Sequence, residues 1–296
     1  MKKHIRSKIV KYAMSFLIGS IFISCTGNET KERASENQTS DSTLKKEKEV
    51  EQEVSYNLPS PLQIVSLFRK SGLTFLEGVT NTQKDPAKYT SNFSKSLNLG
   101  VYAADLAYCV LNKQRQEAMN YMQASTQLSS SLGMTSIFEE GAFVKRFEKN
   151  LTNEDSLRTI IAEVQMATDT YLEDNEQRQI SAIAFSGAWT EAMYIGSKVF
   201  EKSKEKGLND KISEQMTILS RIIKVLKLQE TKDAGITGLI ADLNSLMNLY
   251  DNFDSVKKNK TEAKEDEPVS AVSLTDQEMT ELSKKIAELR NKFVTS

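Results

Sequence analysis

The apolar residues of this chain recur at helical spacing over most of its length. One seam, with intervals of four and three residues, comprises Ile212, Met216, Leu219, Ile223 and Leu226. A second seam comprises Ile236, Leu239, Leu243, Leu246, Tyr250 and Phe253. No stretch alternates convincingly in the way that a half-buried strand requires, so the pattern predicts an all-α fold.

The predicted helices occupy residues 56–256, where we expect one irregular bundle of about eight helices. Ser60 and Pro61 have the residue types of an N-cap and of a first helical residue. Further along, a helix is expected from about Lys88 to Leu111. Thr152, with Asp155 three residues later, resembles a capping box for another helix.

A helical repeat is an alternative to the irregular bundle. The dipeptides Leu99-Gly100 and Leu132-Gly133 lie 33 residues apart, close to the tetratricopeptide period of about 34 residues. The Ala and aromatic positions that should follow them do not fall in phase. A tetratricopeptide-like array is therefore the second choice.

Two of the predicted helices carry small residues along one face. The members of these faces are Ala184, Ala188, Ala192 and Gly196 in segment 180–196 (ISAIAFSGAWTEAMYIG), and Gly100, Ala103, Ala104 and Ala107 in the earlier helix. A helical glycine costs about 1 kcal/mol relative to alanine, so close approach of a neighbouring helix is expected to offset it. Segment 180–196 contains a charged residue, Glu191, and is shorter than the roughly 20 residues of a membrane span, which predicts a core helix.

Each of these two helices also carries one acidic residue among apolar neighbours, Asp105 in the first and Glu191 in the second. A buried carboxylate needs a hydrogen bond or an ion pair. A Tyr hydroxyl (Tyr102, Tyr108 or Tyr194), a helix N-terminus or an Arg could supply it. The alternative is that both acids converge in a cleft as a general acid and base, where paired carboxylates could hydrolyse a glycosidic bond.

The N-terminal residues predict export. A basic n-region precedes the short apolar run 12–23, as in a secretory signal peptide over residues 1–24. The tetrapeptide Phe22-Ile23-Ser24-Cys25 resembles a bacterial lipobox, which implies cleavage before Cys25 and attachment of lipid to it. An ordinary cleaved signal or an uncleaved anchor is the alternative. An Asp directly after the lipidated Cys resembles an inner-membrane retention signal, but this chain has Thr26 at that position. We therefore expect anchoring in the outer membrane, and the sequence does not indicate which face of that membrane carries the protein.

Residues 26–55 are almost all polar or charged and are predicted to be a disordered linker. The chain has 39 basic and 40 acidic residues, and loss of the five basic residues of the signal leaves 34 basic residues. A mildly acidic protein is not expected to bind nucleic acid. The single histidine, His4, belongs to the signal, so His-dependent nucleophilic catalysis and His-ligated metal or haem sites are excluded from the mature protein. We expect no cofactor and no metal, and a buried, inert thiol at Cys109.

The C-terminal segment predicts one further helix. A charged linker, residues 257–273, precedes a capping box of Thr275 and Glu278. Its apolar stripe has coiled-coil spacing and comprises Met279, Leu282, Ile286, Leu289 and Phe293. About two heptads do not make a stable isolated coil. The stripe is therefore expected to dock on its own bundle, on a second copy or on another envelope protein, and it is the best candidate for partner binding.

Three segments resemble those of uncharacterised all-helical lipoproteins of Bacteroidota. They are YNLPSP (56–61), LNLGVYAADLAYC (97–109) and SGAWTEAMYIG (186–196). The resemblance implies the compartment and the fold but no activity.

The function that we predict is that of a lipid-anchored, non-catalytic interaction or scaffold module. The alternative is an envelope ligand-binding or carboxylate-based hydrolytic protein with a site between the helices that carry Asp105 and Glu191.

Overall fold

The computed structural model describes residues 58–82, 85–229, 233–262 and 272–295 of the 296-residue chain. These residues form a packed bundle of ten α-helices without a strand, which confirms the all-α prediction. The helices are α1 (Pro61–Lys70), α2 (Asn92–Leu111), α3 (Arg115–Ser131), α4 (Ala142–Lys149), α5 (Glu154–Asp174), α6 (Arg178–Ser203), α7 (Lys206–Leu228), α8 (Ala234–Asp251), α9 (Asp254–Glu262) and α10 (Asp276–Thr295). Short 3₁₀ turns cover Pro86–Lys88 and Thr135–Gly141.

The central pair of the bundle is α2 with α6, and most residues of both helices are buried. Their backbones touch at one glycine from each helix. A Cβ atom placed on Gly100 would lie 1.7 Å from the carbonyl oxygen of Ala184, and one on Gly187 would lie 2.0 Å from the carbonyl oxygen of Leu97. No side chain fits in that space, so dispersion contacts between the backbones offset the helical cost of the two glycines.

The two apolar seams that dominate the sequence pattern form an antiparallel hairpin of α7 and α8. Every member of both seams is buried. The hydroxyl groups of Ser213 and Tyr250 also meet between the two helices, at 2.7 Å. The predicted helical hairpin is confirmed.

The C-terminal helix α10 packs on the bundle, mainly against α6 and α8. All five residues of its apolar stripe are buried. Polar contacts fix both ends, because Asn209 Nδ2 donates to the Leu274 carbonyl oxygen at 2.8 Å and Asn98 Nδ2 donates to the Phe293 carbonyl oxygen at 2.9 Å. Of the three docking places left open by the sequence, the structure shows the chain's own bundle.

The predicted capping box at the start of α10 is confirmed, and it has an additional role. Glu278 N donates to Thr275 Oγ1 at 3.2 Å, and Thr275 N donates to Glu278 Oε2 at 2.8 Å. The same carboxylate accepts hydrogen bonds from Ser255 N and Ser255 Oγ, which join the start of α9 to the start of α10. Burial raises the pKa of Glu278, but these hydrogen bonds outweigh it and hold the pKa below its usual value.

Some predicted helix boundaries are wrong. Helix α2 begins at Asn92, not near Lys88, because the Ser91 side chain accepts from Ser94 N at 3.0 Å and caps it there. The N-cap of α5 is Asn153 and not Thr152, with Ser156 N donating to Asn153 Oδ1 at 3.0 Å. Asn and Thr are both good N-caps, so the spacing alone did not choose between neighbours.

Helix α9 is the one helix of the described residues that the sequence pattern did not predict. It extends to Glu262, into the segment expected to be a linker, while residues 263–271 lie outside the described residues.

The two glycines behind the tetratricopeptide alternative are not equivalent positions of a repeat. Gly100 lies inside α2 against another backbone, whereas Gly133 follows the end of α3 with a φ of +94°. The α-helices are also uneven, from eight residues in α4 to 26 in α6. Both observations favour the irregular bundle.

Candidate functional site

The two acids singled out in the sequence meet inside the bundle. Asp105 on α2 and Glu191 on α6 are both completely buried, and Glu191 lies within hydrogen-bonding reach of Asp105. The close crossing of α2 and α6 brings them together, since glycines replace the side chains that would otherwise hold the helices apart. The sequence offered convergence of the two acids only as the alternative, and in an open cleft, whereas the structure brings them together in the closed interior.

A third residue completes this cluster, and the sequence did not identify it. Arg290, on α10, binds both oxygens of Glu191, with Nε donating to Oε2 at 2.8 Å and Nη2 donating to Oε1 at 3.0 Å. Its guanidinium carbon lies 4.7 Å from the centre of the Tyr194 ring, a cation–π arrangement. Burial lowers the pKa of Arg290, but the charge of Glu191, the hydrogen bonds to it and the other nearby acidic groups together outweigh burial and raise the pKa, so the guanidinium stays charged.

Asp105 is the member of the cluster whose charged form is disfavoured. Its Oδ2 accepts a hydrogen bond from Asn81 N at 3.1 Å, while Oδ1 has no donor among the described residues. Burial and the charge of Glu191 raise the pKa of Asp105 well above its usual value, and Arg290 lowers it only in part. A proton on Asp105 would remove the like charge beside Glu191 and would supply the donor for the side-chain hydrogen bond between the two acids.

Tyrosine side chains enclose the Asp105 end of the cluster. Tyr121 Oη donates to the Asn81 carbonyl oxygen at 2.6 Å, and Asn81 Nδ2 donates to Tyr89 Oη at 3.4 Å. The Tyr89 and Tyr102 rings meet edge to face, 6.3 Å apart. Burial raises the pKa of all three phenols, so they remain neutral hydrogen-bonding groups.

The tyrosines expected to satisfy the acids have other main contacts. Tyr108 donates to the Thr74 carbonyl oxygen at 3.3 Å and accepts from Leu76 N at 2.6 Å, with burial raising its pKa to about 12. Tyr194 contacts Arg290. Of the partner types expected for the buried acids, an Arg is the one that binds Glu191.

The cluster is a closed ion pair of Arg290 and Glu191 with a second buried acid, Asp105, beside it. The three side chains carry two acids and one base, so a single protonation makes the cluster neutral. A general acid or base must reach substrate or water, and neither carboxyl is exposed to solvent. Within the described ranges, no group of three His, Cys, Asp or Glu side chains is arranged to hold a metal ion.

A cavity of about 280 Å³ lies between the same two helices, and we call it the groove. The small-residue faces of α2 and α6 form its floor, with Gly100, Ala103, Ala184 and Ala188. Apolar side chains from four further elements wall it: Leu62, Met122, Phe138, Ile161, Val164 and Leu172. Neither Asp105 nor Glu191 lines the groove, so the small residues and the acids of these helices face different surroundings.

Helix α5 covers the groove while burying little of its own surface. Only Leu157, Ile160 and Leu172 of its 21 residues are buried. The turns between Ile160 and Leu172 contribute Ile161, Val164 and Thr168 to the groove instead. One side of the groove is therefore a helix with few buried residues of its own.

The predicted site residues have separate outcomes. Cys25, the signal 1–24 and the linker 25–55 lie outside the described residues, so lipidation stays a prediction. Cys109 is buried in α2, as expected. The stripe Met279, Leu282, Ile286, Leu289 and Phe293 is covered by the chain's own bundle, and its role in partner binding stays a prediction.

Comparison of the chain with protein-family models, with curated proteins and with solved structures gives no match. In the part of the chain that the structure describes, none of the helices combines the length and the apolarity needed to cross a membrane. Inference about function therefore depends on the geometry of the groove and on the sequence.

Proposed function

We propose that this protein is an exported, lipid-anchored binding protein of the cell envelope that performs no catalysis and holds a small, largely apolar molecule in the groove. The observation that carries the proposal is the groove itself, about 280 Å³ of space beside the close contact of α2 and α6 at Gly100 and Gly187. Ligand sites in proteins are mostly apolar concavities with a few polar groups, of about 300–1,000 Å³. The groove is close to the lower end of that range.

The size of the groove sets the size of the ligand. An apolar cavity of about 150 Å³ is known to bind benzene, so about 280 Å³ accommodates an apolar body of roughly ten carbon atoms. Burying such a body removes apolar surface from water, which stabilises the complex by about 25 cal/mol for each Å² of apolar surface buried. The predicted ligand is thus smaller than a whole phospholipid.

The buried acid cluster supports a function without catalysis. Asp105 and Glu191 are shut away from solvent and from the groove, and Glu191 is already satisfied by Arg290. Their geometry therefore favours a structural role for the two acids over a role in hydrolysis. The groove also lies between the two helices named in the ligand-binding alternative, although other faces of those helices line it.

Anchoring is proposed from the sequence, through the lipobox-like segment that ends at Cys25. The polar linker 26–55 would hold the bundle away from the membrane surface. The apolar stripe of α10 is buried in the bundle. We therefore propose that a partner protein binds this stripe only when α10 has left the bundle.

The ligand-binding proposal is tested by titrating the full mature chain with 1-naphthylamine, a ten-carbon fluorophore that is uncharged at neutral pH. We expect saturable binding of one molecule per chain. Ala103→Phe, which places a ring in the groove, should weaken binding at least tenfold. Ala162→Phe is the matched control, because Ala162 is exposed on α5 and does not line the groove. Equal binding by the two variants, or none by the unmodified protein, would refute the proposal.

A further inference from the structure

We infer that the groove takes an amphiphile with one apolar chain and a cationic head group, and that Asp169 receives the head. This inference rests on the proposed function, and it adds the chemical class of the ligand. The argument comes from the distribution of charge along the groove.

All three charged residues that line the groove lie at one end of it. Asp169 and Glu173 belong to the C-terminal part of α5, and Arg178 is the first residue of α6. The remaining lining residues are apolar or uncharged. The groove is therefore amphipathic, with a charged end at the turn between α5 and α6 and an apolar floor along the glycine and alanine residues.

The charged end has an excess of negative charge. Arg178 Nη2 is paired with Glu173 Oε1 at 2.9 Å. Asp169 Oδ1 accepts a hydrogen bond from Ser181 Oγ at 3.3 Å, and Asp169 has no cationic partner among the residues that the structure describes. The end thus carries two acids and one base, and a cationic head would balance the charge left on Asp169.

The test compares three ten-carbon ligands with different heads, namely decylamine, decanol and decanoate, as competitors of 1-naphthylamine at low ionic strength. Decylamine should displace the fluorophore at about threefold lower concentration than decanol, and decanoate at a higher one, since a solvent-exposed ion pair is worth up to about 1 kcal/mol. Asp169→Asn should abolish the difference between decylamine and decanol. Asp174→Asn, which changes an exposed acid outside the groove, should retain it.

Each outcome separates the inference from the proposed function. If the fluorophore binds in the groove but the three heads compete equally, or if Asp169→Asn keeps the preference, the cationic head is refuted while the binding function stands. If the Ala103→Phe variant binds the fluorophore as the unmodified protein does, both fail. Loss of the decylamine preference in high salt would support an electrostatic origin, and a preference unchanged by salt would contradict it.

Discussion

The close contact between α2 and α6 depends on Gly100. Any side chain there would overlap the carbonyl oxygen of Ala184, which is backbone and cannot rotate away. Gly238, in α8, is a natural comparison, because a Cβ atom added to it would have no atom of a neighbouring element within 4 Å. The two glycines look alike in the sequence, and only the neighbouring helix distinguishes them.

We predict opposite effects of Gly→Ala at these two positions. Gly100→Ala should lower the free energy of unfolding by about 3 kcal/mol or more, because α2 and α6 must separate. Gly238→Ala should raise it by up to about 1 kcal/mol, because alanine favours the helix. Urea denaturation measures both values, and equal effects would contradict the close crossing.

Arg290 is predicted to be the most important charged residue for stability. Arg290→Met leaves the buried acid pair without a cation and should lower the free energy of unfolding by about 3–5 kcal/mol. Lys292→Met, two residues away, removes an exposed ion pair with Asp242 and should cost less than about 1 kcal/mol. Similar losses for both variants, measured by urea denaturation, would show that the Arg290 pair has no special weight.

Asp105 is predicted to give stability a specific pH dependence. The folded state retains a proton that the unfolded chain releases above a pKa of about 3.9, so the contribution of Asp105 to stability falls as pH rises above about 4. Asp105→Asn removes that proton and keeps the shape. Its stability relative to the unmodified protein should rise with pH, by up to about 1.4 kcal/mol per unit.

Urea denaturation at pH 5 and at pH 8 gives the difference between the Asp105→Asn variant and the unmodified protein. Asp174→Asn is the control, because it makes the same substitution at an exposed acid outside the buried cluster. A relative stability of Asp105→Asn that is the same at both pH values would mean that Asp105 is ionised in the folded protein over this range.

At the scale of elements, α10 has the largest effect on the interpretation of the molecule. The sequence predicts its capping box and its stripe, because both are local patterns. Its docking place depends on Arg290 and Glu191, which are 99 residues apart. No local pattern joins residues so distant, so the sequence left three docking places open.

We predict that removing residues 272–296 prevents the bundle from folding. Each of the five buried stripe residues contributes roughly 1.5–3 kcal/mol, and their sum is comparable to the entire stability of a typical domain, about 5–15 kcal/mol. Circular dichroism should show no cooperative thermal transition in the truncated chain, and added peptide 272–296 should restore one. A stable truncated bundle would instead make α10 a detachable element that is available to partners.

The same contrast between local and distant features explains what the sequence predicted of the fold. Helices, seams and the α10 cap were predicted because they depend on residues within a few turns. The sequence placed a ligand site between α2 and α6 only as an alternative, and it did not predict the walls of the groove, because six helices and one 3₁₀ turn contribute to them. The sequence identified the small residues of the groove floor as packing surfaces. Their spacing did not indicate that the helices around them would leave an open space.

At the scale of the whole molecule, two proposals are combined. The N-terminal sequence supports attachment of lipid at Cys25, and the bundle offers a groove suited to a small amphiphile. A binding protein tethered outside the cytoplasm would meet such molecules at or near the membrane. The absence of histidine from the predicted mature chain limits the catalytic alternatives.

Native mass spectrometry of the protein released from envelope membranes tests the central claim most directly. The unmodified protein and the Ala162→Phe control should each carry one small molecule bound noncovalently, with the mass of an amphiphile of roughly ten carbon atoms. The Ala103→Phe variant, with its groove filled, should carry none. A bound molecule at equal occupancy in all three proteins, or in none of them, would contradict the claim.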